Sequence, residues 1–295
     1  MIAAIPFFEL GVYNLVLLGY DIPIDPWATL VCIGFVVGME IARYRGIQLG
    51  LSVRDIVDGS IVIVLSGFLM AHVFTVLFYF PERMLSPETG NFSFTEAFSA
   101  IFIRFYQGFS STGGFVGALL GAFVFYKYVR KVDLWTHTDT ICFGFPMGWF
   151  FGRMGCGVVH DHIGKETTFA LAMDFDRGFG PWVGGDPFTQ GIRHELGLYE
   201  MAYMIPVSLL FVYLGKYKRP PGFFLALFGV CYAPVRFLMD FLRNDDLGFQ
   251  DARYVGLTPA QYGMIAMFLA ACWVLWRLER SNYTRVPLTQ PSTES

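Results

Sequence analysis

The sequence predicts an all-α, polytopic membrane protein of about seven transmembrane helices with a small periplasmic head. Three observations carry this. Hydrophobic residues make up 55% of the chain and charged residues 15%, with a mean hydropathy of +0.50, which leaves too little polar surface to clothe a soluble domain of this length. Apolar runs long enough to cross a hydrocarbon layer of roughly 30 Å at 1.5 Å per helical residue recur along the chain. Of the 21 Lys and Arg, 12 fall in short segments at alternate ends of those runs, as expected for cytoplasmic loops.

Residues 1–26 mix apolar and polar positions and end in I-P-I-D-P, whose prolines oppose a continuous helix. An interfacial arm is expected there, with no removable signal peptide, because a basic n-region and a small-residue cleavage site are both absent. A first span over 27–42 stops at Arg43 and Arg45, with Arg54 following, and a second over 57–80 leads into a polar outer loop at 81–95. The apolar stretch 97–128 is too long for one crossing and is interrupted by Q-G-F-S-S-T-G-G at 107–114. Irregular backbone at membrane depth survives where protein buries it, so a re-entrant or interfacial segment precedes a crossing over 115–128. Residues 135–151 return outward, 198–214 go in, 223–241 go out, and Thr258 and Pro259 open a last helix reaching 276. Seven crossings place the N-terminus in the periplasm and the C-terminus in the cytoplasm. Residues 27–280 form the membrane domain, with a polar head inserted at 154–197, and residues 281–295 form a disordered cytoplasmic tail.

Net charge, −3, says little about a membrane protein. The basic residues are scattered without a basic face, so no nucleic-acid partner is expected. Five cysteines without C-x-x-C pairing argue against a disulfide framework or a metal site.

Two arginines stand out. Arg153 ends an apolar, glycine-rich run and is followed by Cys156, His160, Asp161 and His162. A guanidinium near hydrocarbon costs about 2.5 to 3.5 kcal/mol even on lenient insertion scales, so it is expected to have a partner or an anion. Arg236 lies within Y-A-P-V-R-F-L-M-D-F-L-R, where helical spacing stacks Arg236, Asp240 and Arg243 on one face. That ladder reads either as self-neutralisation or, for Arg236, as half of a phosphate fork shared with Arg153, a task to which paired N–H donors suit arginine. Gly113 and Gly114 expose backbone N–H groups at a helix start, which can hold an oxyanion or serve close packing. His160, Asp161 and His162 read as general bases, metal ligands or plain structure, and imidazole is the side chain best poised to take a proton near neutrality.

With these motifs assembled, the chain resembles the prolipoprotein diacylglyceryl transferases of the bacterial inner membrane. The matching pieces are D-x-x-x-F-G-F-P-M-G-W-F-F-G-R-M-G from Asp139 to Gly155, Gly164 closing that motif, H-E-L-G-L-Y-E from His194 to Glu200, R-F-L-M-D-F-L-R from Arg236 to Arg243, and G-L-T-P-A-Q from Gly256 to Gln261. The resemblance implies transfer of the diacylglyceryl group from phosphatidylglycerol to the lipobox cysteine thiol of a prolipoprotein signal peptide, forming a thioether and releasing glycerol phosphate. It assigns phosphate binding to Arg153 and Arg236, and implies a pocket shaped by Thr112, Gly113, Gly114 and Gly164, with Tyr199, Asp240 and Arg243 around it. No cofactor or metal is implied; the partners are phosphatidylglycerol, prolipoproteins and membrane lipids. Thr112 stands where the family usually has a histidine, and Cys156 where it has an asparagine, so His160, His162 or His194 is expected to supply any base. The alternatives are a diverged paralogue with another lipid donor or thiol acceptor, and a non-enzymatic lipid-binding or transport protein. One glycine-broken segment without a matching second half argues against a transporter.

Overall fold

Asp25, Ser52, Ser110, Asp133 and Thr258 each stand one residue ahead of a long apolar helix and accept a hydrogen bond from a backbone N–H of its first turn. Such caps satisfy donors that the helix itself leaves unpaired. The helices of the computed structural model are α1 (Pro26–Gln48), α2 (Val53–Phe74), the short α3 (Phe94–Phe98), α4 (Ser111–Val124), α5 (Leu134–Val159), α6 (Leu196–Leu214), α7 (Phe223–Met239) and α8 (Pro259–Glu279). The strands are β1 (Ile5–Pro6), β2 (Tyr13–Leu17), β3 (Tyr20–Ile24), β4 (Ile163–Glu166), β5 (Met173–Asp174), β6 (Ile192–Glu195), β7 (Tyr217–Lys218) and β8 (Val286–Pro287). The structure describes residues 4–8, 10–17, 20–104, 108–175, 191–247, 252–280 and 286–287.

Among the described residues six helices are long and apolar enough to cross a membrane, and they include the continuations of α2 to Tyr79 and of α4 to Arg130. The seventh expected span, α5, has 26 residues, enough for about 39 Å. It carries Asp139 and Arg153 within its length, and both are buried inside protein. The chain is therefore a mostly helical, multi-pass membrane protein, as its composition predicts.

The bundle is closed by small residues. Gly34 and Gly38 of α1 face Gly148 and Gly144 of α5 so closely that a Cβ on Gly144 would stand 2.2 Å from the Gly38 carbonyl oxygen. Without a hydrophobic drive between helices in lipid, this backbone proximity supplies the dispersion contact. On the neighbouring face of α5, Phe145 and Trp149 pack with Phe115, Phe228 and Tyr232 of α4 and α7, and that aromatic wall leads up to the Arg153 end.

Several sequence-based boundaries move. The crossing expected from 115 begins at Ser111, because Ser110 caps it. Helix α5 continues to Val159, so the head starts after the helix rather than at 154. The N-terminal arm is partly built into that head: β1 pairs with β5 in a four-stranded sheet of order β1-β5-β6-β4, while β2 and β3 form a separate hairpin. Of the expected tail, Val286–Pro287 pairs with Tyr217–Lys218; its other residues, and 176–190 of the head, lie outside the described residues.

Candidate functional site

Helical spacing brings the site together. On α5, Trp149 and Arg153 are one turn apart, and the guanidinium carbon sits 4.7 Å from the indole centroid. On α7, Tyr232 and Arg236 are likewise one turn apart, and Asp240 follows in the 3-10 turn that extends the helix. Helix α6 opens at Leu196, which carries Glu200 between the two.

Glu200 is the centre. Its Oε1 lies 2.7 Å from Arg153 Nε and accepts hydrogen bonds from Trp149 Nε1 at 3.1 Å and Tyr232 OH at 2.5 Å, while its Oε2 lies 3.8 Å from Arg236 Nε. Arg236 Nη1 also donates to Asp240 Oδ1 at 2.6 Å, and Asp240 Oδ2 accepts from the Thr258 hydroxyl. Arg153 and Arg236 are 4% and 5% exposed, so their attraction to the carboxylates is screened far less than at a surface. The pairing is incomplete in one respect. The Nε–H groups of both arginines are buried without an aligned hydrogen-bond acceptor among the described residues, a costly condition for a charged donor. The two guanidiniums that the sequence singled out do meet, but against Glu200 and Asp240 and nearly sealed, so a phosphate reaches them only if these ion pairs rearrange.

Beyond Arg153 lies a second cluster. Arg153 Nη1 donates towards His162 Nε2 at 3.2 Å and Cys156 Sγ at 3.6 Å, and His162 Nδ1 is 2.5 Å from Asp161 Oδ1. Burial pulls the His162 pKa down, but Asp161 and Cys156 outweigh it and push it up to about 9. Burial likewise raises the Asp161 carboxyl, and the imidazole outweighs it, so Asp161 is held below its ordinary value. The Arg153 contact needs a lone pair on Nε2. It therefore describes the neutral ring with its proton on Nδ1, while Asp161 is the force that favours a second proton. Ligand atoms of Cys156, Asp161 and His162 lie within 4.8 Å of one another, close enough to hold a small cation, although Arg153 competes for the same atoms.

The other expected residues take different places. His160 is fully buried at the left-handed end of α5. Its Nδ1 lies 3.1 Å from Glu195 Oε2, its Nε2 lies 2.6 Å from the Phe8 carbonyl, and Phe7, Phe8 and Phe175 surround it. That placement ties the arm to the head. Burial also pushes the Glu195 carboxyl up against the opposing pull of His160. His194 Nδ1 is 3.1 Å from Tyr199 OH, with burial lowering its pKa, and neither residue touches the arginine pair.

Gly113 and Gly114 have their N–H groups directed to Ser110, one to its hydroxyl and one to its carbonyl. A Cβ on Gly113 would meet the Met70 carbonyl oxygen at 2.5 Å, which is the close-packing alternative. Thr112 abuts Gly263 of α8 and its buried hydroxyl has no partner among the described residues. Gly164 bridges to Arg243 where the chain leaves α7, and a Cβ there would meet the Leu242 carbonyl oxygen at 2.5 Å. Arg243 has extended backbone and so leaves the helical spacing, while its charge still acts on the Asp240 carboxylate.

Glu200, Trp149, Tyr232 and Thr258 all lie within the motifs, but only Thr258 is marked there, as a helix start, and none is marked as part of the site. The signal for Glu200 was present: a carboxylate inside the apolar run 196–214 is as anomalous as an arginine in one.

The family model described as prolipoprotein diacylglyceryl transferase matches residues 15–277. A protein named phosphatidylglycerol–prolipoprotein diacylglyceryl transferase from Nitratidesulfovibrio vulgaris is 29% identical over 252 residues, 83% of this chain and 85% of that protein. One of the same name from Helicobacter hepaticus is 26% identical over 236 residues, 77% and 76% of the two chains. Another from Caulobacter sp. is 32% identical over 181 residues, 59% of each.

Proposed function

The chain belongs to the prolipoprotein diacylglyceryl transferase family, and from that premise we propose how the Arg153, Glu200 and Arg236 centre serves the reaction. The protein is a transferase that moves the diacylglyceryl group of phosphatidylglycerol to prolipoproteins. In the finer reading, the acceptor is the lipobox cysteine of the signal peptide. Its sulfur attacks the glycerol carbon that bears the phosphate, a C–S bond forms as the C–O bond breaks, and the electron pair leaves on the phosphate oxygen as glycerol phosphate. The thiol proton must go to a base. The developing charge on the leaving phosphate needs fixed cations.

One observation carries this assignment: Arg153 and Arg236, from different helices, converge on a single buried carboxylate while each keeps an Nε–H without an aligned acceptor. Glu200 holds the two guanidiniums together against their mutual repulsion when no lipid is present. A phosphodiester that displaces Glu200 from their donors meets two guanidiniums already brought together, so the binding step has only to rearrange the ion pairs and not to bring the two helices together. His162, beside Arg153, is the base we assign, with Asp161 fixing its tautomer; His160 and His194 serve packing. Tyr199, Gly164 and Arg243 shape the junction of head and bundle, and Thr112, Gly113 and Gly114 the junction of α4 with α2 and α8. The protein resides in a bacterial inner membrane with its N-terminus periplasmic and its C-terminus cytoplasmic.

The test uses vesicles holding purified protein, phosphatidylglycerol and a lipobox peptide. Wild type is expected to yield lipidated peptide, and Arg153→Gln and Arg236→Gln each to lose about 10²-fold or more in turnover. Full activity in either variant refutes the phosphate assignment, and lipidated product from another lipid donor redirects it to that donor.

A further inference from the structure

At the end of the bundle opposite Arg153, the C-terminal end of α1, the start of α5, the 218–221 segment and the first turn of α7 line a cavity of about 270 Å³. We infer that this cavity is a second anion site, binding the phosphate of an anionic phospholipid head group or of a small soluble phosphoester at the basic end of the membrane domain.

Among the described residues, three cations line it, Arg45, Lys218 and Arg219, against one carboxylate, Asp139. The carboxylate is already engaged: Asp139 Oδ1 accepts the Leu225 N–H of the first turn of α7 at 2.9 Å. Arg45 is fixed in place. It is 3% exposed, donates to the Gly215 carbonyl at 2.5 Å and the Tyr217 carbonyl at 3.3 Å, and lies over the rings of Phe143 and Phe224 at 4.9 and 5.5 Å. Arg219 donates from Nε to the Leu214 carbonyl at 3.1 Å, which anchors its base beside the opening. Positive charge therefore exceeds negative in a concave space whose walls are partly apolar, and the volume suits one phosphate with a small polyol. Basic pockets between transmembrane helices at the cytoplasmic side characteristically take lipid head groups. The site is separate from the transfer centre, since Asp139 and Arg153 stand 14 residues apart on α5, or about 21 Å along its axis.

Full-length protein in neutral detergent is examined by native mass spectrometry with phosphatidylglycerol, with phosphatidylcholine and with glycerol phosphate, for wild type and for Lys218→Gln/Arg219→Gln. The pair avoids Arg45, whose loss would expose two backbone carbonyls to an unfilled space. Wild type is expected to retain a second phosphatidylglycerol beyond the one at the transfer centre. The double variant should hold that second ligand about thirtyfold more weakly, at about 1 kcal/mol per basic residue near the surface. Transferase turnover of the variant, read separately, reports on the Arg153 centre alone and should match wild type. Occupancy by glycerol phosphate in place of lipid assigns the cavity to a soluble anion. Equal numbers of phosphate-bearing ligands on both proteins, or phosphatidylcholine filling the position as well as phosphatidylglycerol does, overturns the inference.

Discussion

Arg153 Nε lies 2.7 Å from Glu200 Oε1, with both side chains 4% exposed or less, and this buried pair joins α5 to α6 where the apolar helices end. Arg236 approaches the other oxygen of the same carboxylate from α7 at 3.8 Å. Removing one partner of such a group does more harm than replacing all of it, because the remaining charge stays buried and uncompensated.

Glu200→Gln should therefore destabilise the protein by about 3 to 5 kcal/mol and leave two guanidiniums repelling each other across an uncharged amide. Thermal unfolding in detergent measures the first effect and peptide lipidation in vesicles the second. A variant with unchanged unfolding temperature and turnover would show that Glu200 does not organise the pair.

Arg236→Lys keeps the charge but loses the planar set of N–H donors. Donation to Asp240 can persist through the ammonium, whereas simultaneous reach to Glu200 and a phosphate cannot. Turnover is expected to fall about 10²-fold, the usual scale for losing one preorganised donor, with folding retained. Lipidation rates at saturating phosphatidylglycerol provide the measurement.

The His162 and Asp161 pair predicts a pH dependence with a definite sign. The folded pKa of His162 is raised to about 9, above its ordinary 6.5. Its contribution to stability is therefore complete below pH 6.5 and is lost as the pH rises through about 9. If the neutral ring accepts the thiol proton, the lipidation rate rises over that same window as stability declines. Asp161→Asn removes the chief raising influence. It should bring the inflection of the rate down towards pH 6.5, and profiles of rate and unfolding temperature from pH 6 to 10 on both proteins decide the matter.

Two glycines on α5 should respond in opposite ways. A Cβ at Gly144 would stand 2.2 Å from the Gly38 carbonyl oxygen, whereas one at Gly152 would meet nothing within 4 Å. Gly144→Ala is expected to force α1 and α5 apart at about 1 to 3 kcal/mol, the cost of overpacking. Gly152→Ala should be neutral or stabilising by up to about 1 kcal/mol, the helix propensity difference. Unfolding temperatures of the two variants in the same detergent provide the comparison.

Composition and the positions of Lys and Arg were enough to establish a many-helix membrane protein, because hydrocarbon admits few chains and marks the ends of each span with charge. The motifs carrying Arg153 and Arg236 were legible for the same reason: a guanidinium in an apolar run is costly, and the cost is visible in one dimension. Glu200 obeyed that rule too, but its meaning is a meeting of three helices, and no spacing along the chain states that residue 200 stands between residues 153 and 236. Gly113 also waited for coordinates, since a glycine reads alike whether its missing side chain admits an anion or a neighbouring backbone, and here Met70, Ala71 and Phe74 fill the space beside Gly113, whereas Gly114 has only ordinary contacts. The arm's strand in the head and the sealing of His160 behind Phe8 depend on contacts between residues more than 150 positions apart. Sequence alone thus determined which side chains could not rest in lipid unaided, and the tertiary structure decided their partners, because only packing of the helices fixes the distances over which buried charges compensate one another.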